Sequence, residues 1–155
     1  MPEKSVLDQE KAITLLNRIL EHELAGVVRY THYSLMVFGF GRIPIVSWLR
    51  AQADESLLHA VEAGEMITQF GGYPSLGIGP LLDTHRHDIG DILRGSLDAE
   101  AEALALYRQL LALAEGRSVL LEEYARRLIA AEEIHAGDVD KMLRKPGQVE
   151  AYRSH

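Results

Sequence analysis

Ile129-Ala130-Ala131-Glu132-Glu133-Ile134-His135-Ala136-Gly137-Asp138-Val139 decides how this chain is read. Residues Leu121, Ala125, Leu128, Glu132, His135, Val139 and Met142 fall at the alternating three- and four-residue spacing of one helix face. Five of these seven are apolar, as a core seam requires; the other two are a carboxylate and an imidazole one turn apart in its middle. A buried, unpartnered carboxylate is costly enough that it changes protonation, finds a partner or binds a metal. The remaining helices decide which.

Working outward, the breakers mark out four helical segments, over about 8–39, 44–71, 88–115 and 118–145. The first opens at the capping-box-like Ser5-Val-Leu-Asp8, runs to Gly39-Phe-Gly41, and carries the seam Ile13, Leu16, Leu20, Glu23, Val27, Tyr30, Ser34. The third carries Leu93, Leu97, Glu100, Leu104, Tyr107, Leu111, Ala114. Each again has one glutamate in the middle. The second starts at Pro44, a favoured first-turn residue, and stops at Gly71-Gly72. Two phases compete in it: Ile45, Leu49, Ala53, Ser56, Ala60, Ala63, Ile67, Phe70 against Trp48, Gln52, Glu55, His59, Glu62, Met66. Ser118 is placed to cap the fourth helix, which Lys145-Pro-Gly147 ends. Short turns join the first helix to the second and the third to the fourth. Tyr73–Arg86, with Pro74, Gly77, Gly79 and Pro80, is a long connection. The natural architecture is a single all-α domain over 1–155, a four-helix bundle with one long crossover connection between helices 2 and 3.

The two hairpins repeat each other. Glu23 and Glu100 are each followed seven positions later by a tyrosine, Tyr30 and Tyr107. Glu23 to Glu55 and Glu100 to Glu132 are both 32 positions, and His59 and His135 follow those second glutamates by four and three. Glu23, Glu55, His59, Glu100, Glu132 and His135 thus offer four carboxylates and two imidazoles to a bundle core. Such a set suits two divalent first-row ions such as Fe, Mn or Zn. Any single Glu/His pair of this kind is usually a solvated or mutually satisfied pair; the weight lies in the coincidence across four helices. Tyr30 and Tyr107 are read as packing residues with satisfied hydroxyls. His85, His87 and Asp88 form a possible secondary cation site, with a solvated loop and a helix-start aspartate as the favoured reading.

Composition narrows the function classes. With no cysteine, disulfides, thiolate zinc sites and Cys nucleophiles are excluded, leaving His and carboxylates as ligands. A formal charge of −7 without a Lys/Arg-rich tail argues against nucleic acid and for a cationic partner. No apolar run approaches the roughly 18 residues of a membrane span, and Met1-Pro-Glu-Lys-Ser5 has no signal-peptide pattern, so a cytoplasmic location is expected.

From Leu15 to Met142 the chain resembles the bacterioferritin branch of the ferritin-like superfamily. The resemblance is carried by Leu15-Leu-Asn-Arg-Ile-Leu-Glu-His-Glu23, Asp54-Glu-Ser-Leu-Leu-His59-Ala, Gly71-Gly-Tyr-Pro-Ser-Leu76, Glu100-Ala-Glu-Ala-Leu-Ala-Leu-Tyr107-Arg and Glu132-Glu-Ile-His135. It implies a cage-like homo-oligomer that oxidises Fe(II) with dioxygen or peroxide at a di-iron ferroxidase centre, two Fe per subunit, and stores a ferric mineral. Glu23, His59, Glu100, Glu132 and His135 match family ligands. At the family's bridging-glutamate position stands Ser56; Glu55, one residue earlier, is a candidate substitute, and so is Glu62, one turn beyond His59, for which a solvated helix residue is the favoured reading. The haem methionine of the family falls at Leu57, so haem is not expected. The tail after Pro146 looks short for a fifth helix, which leaves a 24-mer, a Dps-like dodecamer or a smaller shell open. Two other readings are a dinuclear oxidase or peroxidase without mineral storage, and a non-catalytic helical assembly protein with internally paired seam residues.

Overall fold

The computed structural model describes residues 5–81 and 86–152. Among them are four helices and no strand: α1 (Gln9–Met36), α2 (Arg42–Gln69), α3 (Ile89–Ala114) and α4 (Val119–Leu143). Every helix end lies within three residues of the position the breakers indicate. The differences have local causes. Asp8, rather than Ser5, caps α1, its Oδ1 accepting from Lys11 N at 3.1 Å. The same helix stops at Met36 because Gly39 turns the chain at φ +100° and the Arg42 guanidinium takes over its end, donating to Val37 O at 2.6 Å. Ser118 caps α4 as anticipated, accepting from Leu121 N at 3.3 Å.

Two compact units make up the chain, one of residues 16–92 and one of residues up to 15 together with those from 93 onward. In the first, α1 and α2 pack through Tyr30, Val37, Val46, Leu49 and Ala53, with Ile92 closing the cluster and Tyr33, Ile45, Trp48 and Ile89 lying against it. The small-residue phase of α2 is the buried one: Leu49, Ala53, Ser56, Ala60, Ala63 and Ile67 are all in, and His59 of the rival phase goes in with them. Gly26 on α1 accommodates it: a Cβ there would lie 2.9 Å from Ser56 Oγ and 3.3 Å from Ser56 Cβ, so the serine packs where α1 carries no side chain. Gly26→Val should therefore lower unfolding free energy by about 1–3 kcal/mol through overpacking, read as a lower denaturant midpoint at unchanged slope. An unchanged midpoint would mean that the contact is not tight.

The α2–α3 connection, residues 70–88, is pinned to α1 in its first half. Asn17 Oδ1 accepts from Ser75 N at 2.7 Å, Ser75 Oγ donates to Glu21 Oε1 at 2.6 Å, and Gly79 N donates to Glu21 O at 2.7 Å. A Cβ on Gly79 would meet Glu21 O at 3.2 Å and His22 Cα at 3.3 Å, both backbone atoms, which is why glycine stands there.

In the second unit the seams of α3 and α4 are buried largely as their spacing predicts. Leu93, Leu104, Tyr107, Ala114, Leu121, Ala125, Leu128 and Val139 all lie in the core, whereas Met142, at the end of the α4 seam, is exposed. Tyr107 packs edge-on against Tyr124 with ring centroids 6.2 Å apart. Arg108 crosses from α3 to Glu133 on α4 at 2.6 Å, a solvated ion pair of small energetic weight.

Candidate metal centre

Helical spacing puts each ligand candidate on a seam, and the packing within each unit groups them. In the unit of residues 16–92, Glu23 of α1 and His59 of α2 are buried, 5% and 6% exposed, with His59 Nδ1 3.7 Å from Glu23 Oε1. Glu55, one turn before His59, has its Oε1 3.7 Å from His59 Nε2, but its side chain is half exposed. Both ring nitrogens thus face carboxylates. Burial of the imidazole works against its charged form. The Glu23 carboxylate, with the charges of Glu55 and Glu62, outweighs that, and the His59 pKa is raised above 6.5. Ser56 is buried against Gly26 and offers a hydroxyl where the family resemblance has a carboxylate.

In the other unit, Glu100 of α3 and Glu132 and His135 of α4 each offer a ligand atom, all within 4.8 Å of one another. His135 Nδ1 is 3.1 Å from Glu100 Oε1. Glu100 and Glu132 are 7% and 5% exposed and His135 is nearly so buried. The three-residue step from Glu132 to His135 turns both side chains to the face of α4 that meets α3.

The donor chemistry suits a divalent first-row ion. All donors are carboxylate oxygens or imidazole nitrogens, and two buried carboxylates against one histidine leave a negative site that a cation offsets. Zn, Mn and Fe all fit such a set; none is selected over the others by the donors alone.

Of the secondary group, His85 lies outside the described residues. Asp88 caps α3, its Oδ1 accepting from Asp91 N at 3.1 Å. His87 meets His32 of α1, a neighbour the sequence does not suggest across 55 positions. Also unforeseen are the Gly26–Ser56 approach and the Asn17–Ser75–Glu21 latch. The signal for the former is Gly26, a glycine inside a long helix beside the α1 seam residue Val27.

Three of the solved structures similar to this chain bear on its fold. A structure from Bacillus anthracis str. Ames described as ferritin-like, diiron-carboxylate proteins superposes with a TM-score of 0.83 at 22% identity, covering 88% of this chain and 98% of that one. The bacterioferritin of Rhodobacter capsulatus, described with a metal-free dinuclear site and haem iron, gives 0.78 at 24% identity, with 86% and 84% covered. A dodecameric thioferritin, the bacterioferritin-related protein of Bacteroides fragilis, gives 0.79 at 22% identity, with 88% and 86% covered. These likenesses establish the fold, an all-α four-helix bundle. A sequence search of curated proteins gives no match. The Ferritin family, described as the ferritin-like domain, matches residues 13–148, nearly the whole chain and parts of both compact units; this chain belongs to the ferritin-like domain family.

Proposed function

We propose that this chain is a ferroxidase of the iron-storage or iron-detoxification type, in which six residues of one ferritin-like domain bind two Fe(II) per subunit as substrate. The observation that carries the reading is the buried Glu100, Glu132 and His135 set within 4.8 Å, repeated in chemistry by the Glu23–His59 pair. In this reading Glu100 and Glu132 are bridging or terminal ligands, Glu23 is terminal, and His59 and His135 serve one iron each. At the Glu55–Ser56 corner, Glu55 reaches His59 but is half exposed, so it closes over iron only by a side-chain rotation.

Two ferrous ions each give up one electron to dioxygen, which takes up two protons and leaves as hydrogen peroxide. The chain's own residues supply the negative donor set that favours the ferric over the ferrous state, and they exclude bulk water by burial. Where His59 is protonated it gives up that proton before iron enters, because an imidazole nitrogen ligates only when neutral; Glu23 beside it favours the protonated form. Ferric product then passes to a mineral store.

The diiron-carboxylate description of the B. anthracis structure supports iron over Mn or Zn, and the dinuclear site described for the R. capsulatus bacterioferritin supports two ions per subunit. The reading includes no haem, because Leu57 has no ligand atom. A homo-oligomer is part of it, the dodecameric B. fragilis relative being one precedent. Val28 and Leu35 on α1 and Leu57, Leu58 and Val61 on α2 are exposed apolar side chains, and in this reading a second copy covers them. Among the described residues no helix is long and apolar enough to cross a membrane. We place the protein in the cytoplasm, with no nucleic-acid partner.

The test is aerobic Fe(II) oxidation by purified protein, followed by ferric absorbance beside a Glu100→Ala control. Rapid oxidation that the control loses, together with ferric iron retained on a large oligomer, is the expected result. Oxidation no faster than in buffer overturns the ferroxidase reading. Rapid turnover of peroxide on a compact oligomer with no retained iron would instead support a dinuclear oxidase or peroxidase.

A further inference from the structure

His32 on α1 and His87, just before α3, bring their Nε2 atoms to 3.4 Å from each other. Their rings meet edge-on, centroids 5.4 Å apart and planes inclined at 63°, and both side chains are half-buried. The separation is long for a hydrogen bond, since N–H donors usually sit about 2.7–3.2 Å from their acceptors. It also matches a chelate. Two imidazole nitrogens held about 2.0–2.1 Å from one tetrahedral ion lie about 3.3–3.4 Å apart.

We infer that His32 and His87 form a second metal site, a two-imidazole clamp for a borderline divalent cation that takes tetrahedral geometry, of the Zn(II) and Co(II) class. Both Nε2 atoms are donors, and water fills the remaining positions. The choice of ion follows from the ligands: imidazole nitrogen suits these metals, whereas Mg(II), Ca(II) and Mn(II) favour oxygen. The site is separate from the carboxylate set. His32 is nine residues beyond Glu23 on the same helix, about 14 Å along its axis. It shares no residue with the proposed ferroxidase centre and stands whether or not that reading holds.

The consequence is mechanical. The first half of the α2–α3 connection is already latched to α1 through Asn17, Glu21, Ser75 and Gly79. An ion on His32 and His87 ties the other end of the connection to the same helix, closing a span of 55 positions. The bond between exposed Arg86 and His87 then becomes a reporter, because trypsin must draw it away from α1 to cut it.

The experiment is limited trypsinolysis at pH 7.5 with and without Zn(II), scoring cleavage after Arg86 by mass spectrometry. It uses full-length protein carrying Glu100→Gln and Glu132→Gln so that zinc at the carboxylate set does not contribute. With free Zn(II) at ten times its Kd, the opened form falls about tenfold and so does the cleavage rate. His32→Gln and His87→Gln, each in that background, should abolish the protection while retaining the same circular dichroism, and they also control for zinc acting on the protease. Co(II) gives a second readout: tetrahedral d–d absorption in the parent, lost in either variant. Protection that survives both substitutions, or a parent without protection and without a tetrahedral Co(II) spectrum at millimolar metal, overturns the inference. Placed alone in the otherwise native chain, His32→Gln should leave the rate of Fe(II) oxidation unchanged.

Discussion

Glu132→Gln is expected to cut the initial rate of aerobic Fe(II) oxidation by more than about a hundredfold, since even a residue that only supports a metal ligand typically costs 10–100-fold when lost. The same substitution should not weaken the metal-free fold. Glu132 is 5% exposed and shares its 4.8 Å cluster with the carboxylate of Glu100. Glutamine keeps the shape and hydrogen-bonding capacity and removes one of two close negative charges, so repulsion falls while packing stays. Scanning calorimetry of the metal-free protein should show an unchanged or higher Tm, and addition of Fe(II) under nitrogen or of Zn(II) should raise Tm in the parent far more than in the variant. This opposite movement of stability and activity separates a ligand from a core residue. A variant that melts lower without metal and oxidises iron normally would make Glu132 a structural residue and sink its assignment.

That residue was legible in the sequence for a plain reason. The α4 seam is made of Leu, Ala and Val on either side of it, so its phase is unambiguous, and a charged group inside an unambiguous apolar stripe has to be accounted for. The same holds for Glu23 and Glu100, both of which are buried where the 3-4 spacing puts them. In α2 that logic fails. Ala53, Ser56, Ala60 and Ala63 carry little apolar weight, so the rival stripe through Glu55, His59 and Glu62 competes with them on equal terms. What the local pattern does not carry is an interhelical contact: α1 presents Gly26 to Ser56, and a side chain at 26 would collide with the serine. Pairings made across the long connection are illegible for another reason. Nothing in the local pattern near residue 87 or residue 32 refers to the other, and the latch from Ser75 to Asn17 and Glu21 depends on where the connection lands after leaving α2.

Affinity for the metal is expected to fall steeply with acid, and His59 sets the direction. Burial disfavours its charged form, but Glu23, Glu55 and Glu62 outweigh that, so the folded pKa lies above the ordinary 6.5. A raised pKa means that the His59–Glu23 pair contributes to the metal-free fold fully below about 6.5 and loses that contribution as pH rises through the folded value. Metal binding runs the other way. Below the folded pKa an incoming ion must displace the proton, and the affinity attributable to this histidine drops up to about tenfold per pH unit; above that pKa it levels off. Two curves therefore diverge as pH increases from 6 upward: the metal-free Tm declines while the Tm gain from a fixed free concentration of Zn(II) or of Fe(II) under nitrogen grows. His59→Gln should flatten both, because glutamine carries no proton to lose and offers no imidazole nitrogen. Glu23→Gln should restore the His59 pKa toward lower values, shifting the onset of binding to more acid pH while weakening the plateau by removing a ligand. Isothermal titration at several pH values, corrected for buffer protonation, measures the proton released per metal bound. A release that stays at zero from pH 6 to pH 8 in the parent protein, or one that His59→Gln leaves unchanged, would exclude His59 from the metal's ligands and leave Glu23 paired to it for stability alone.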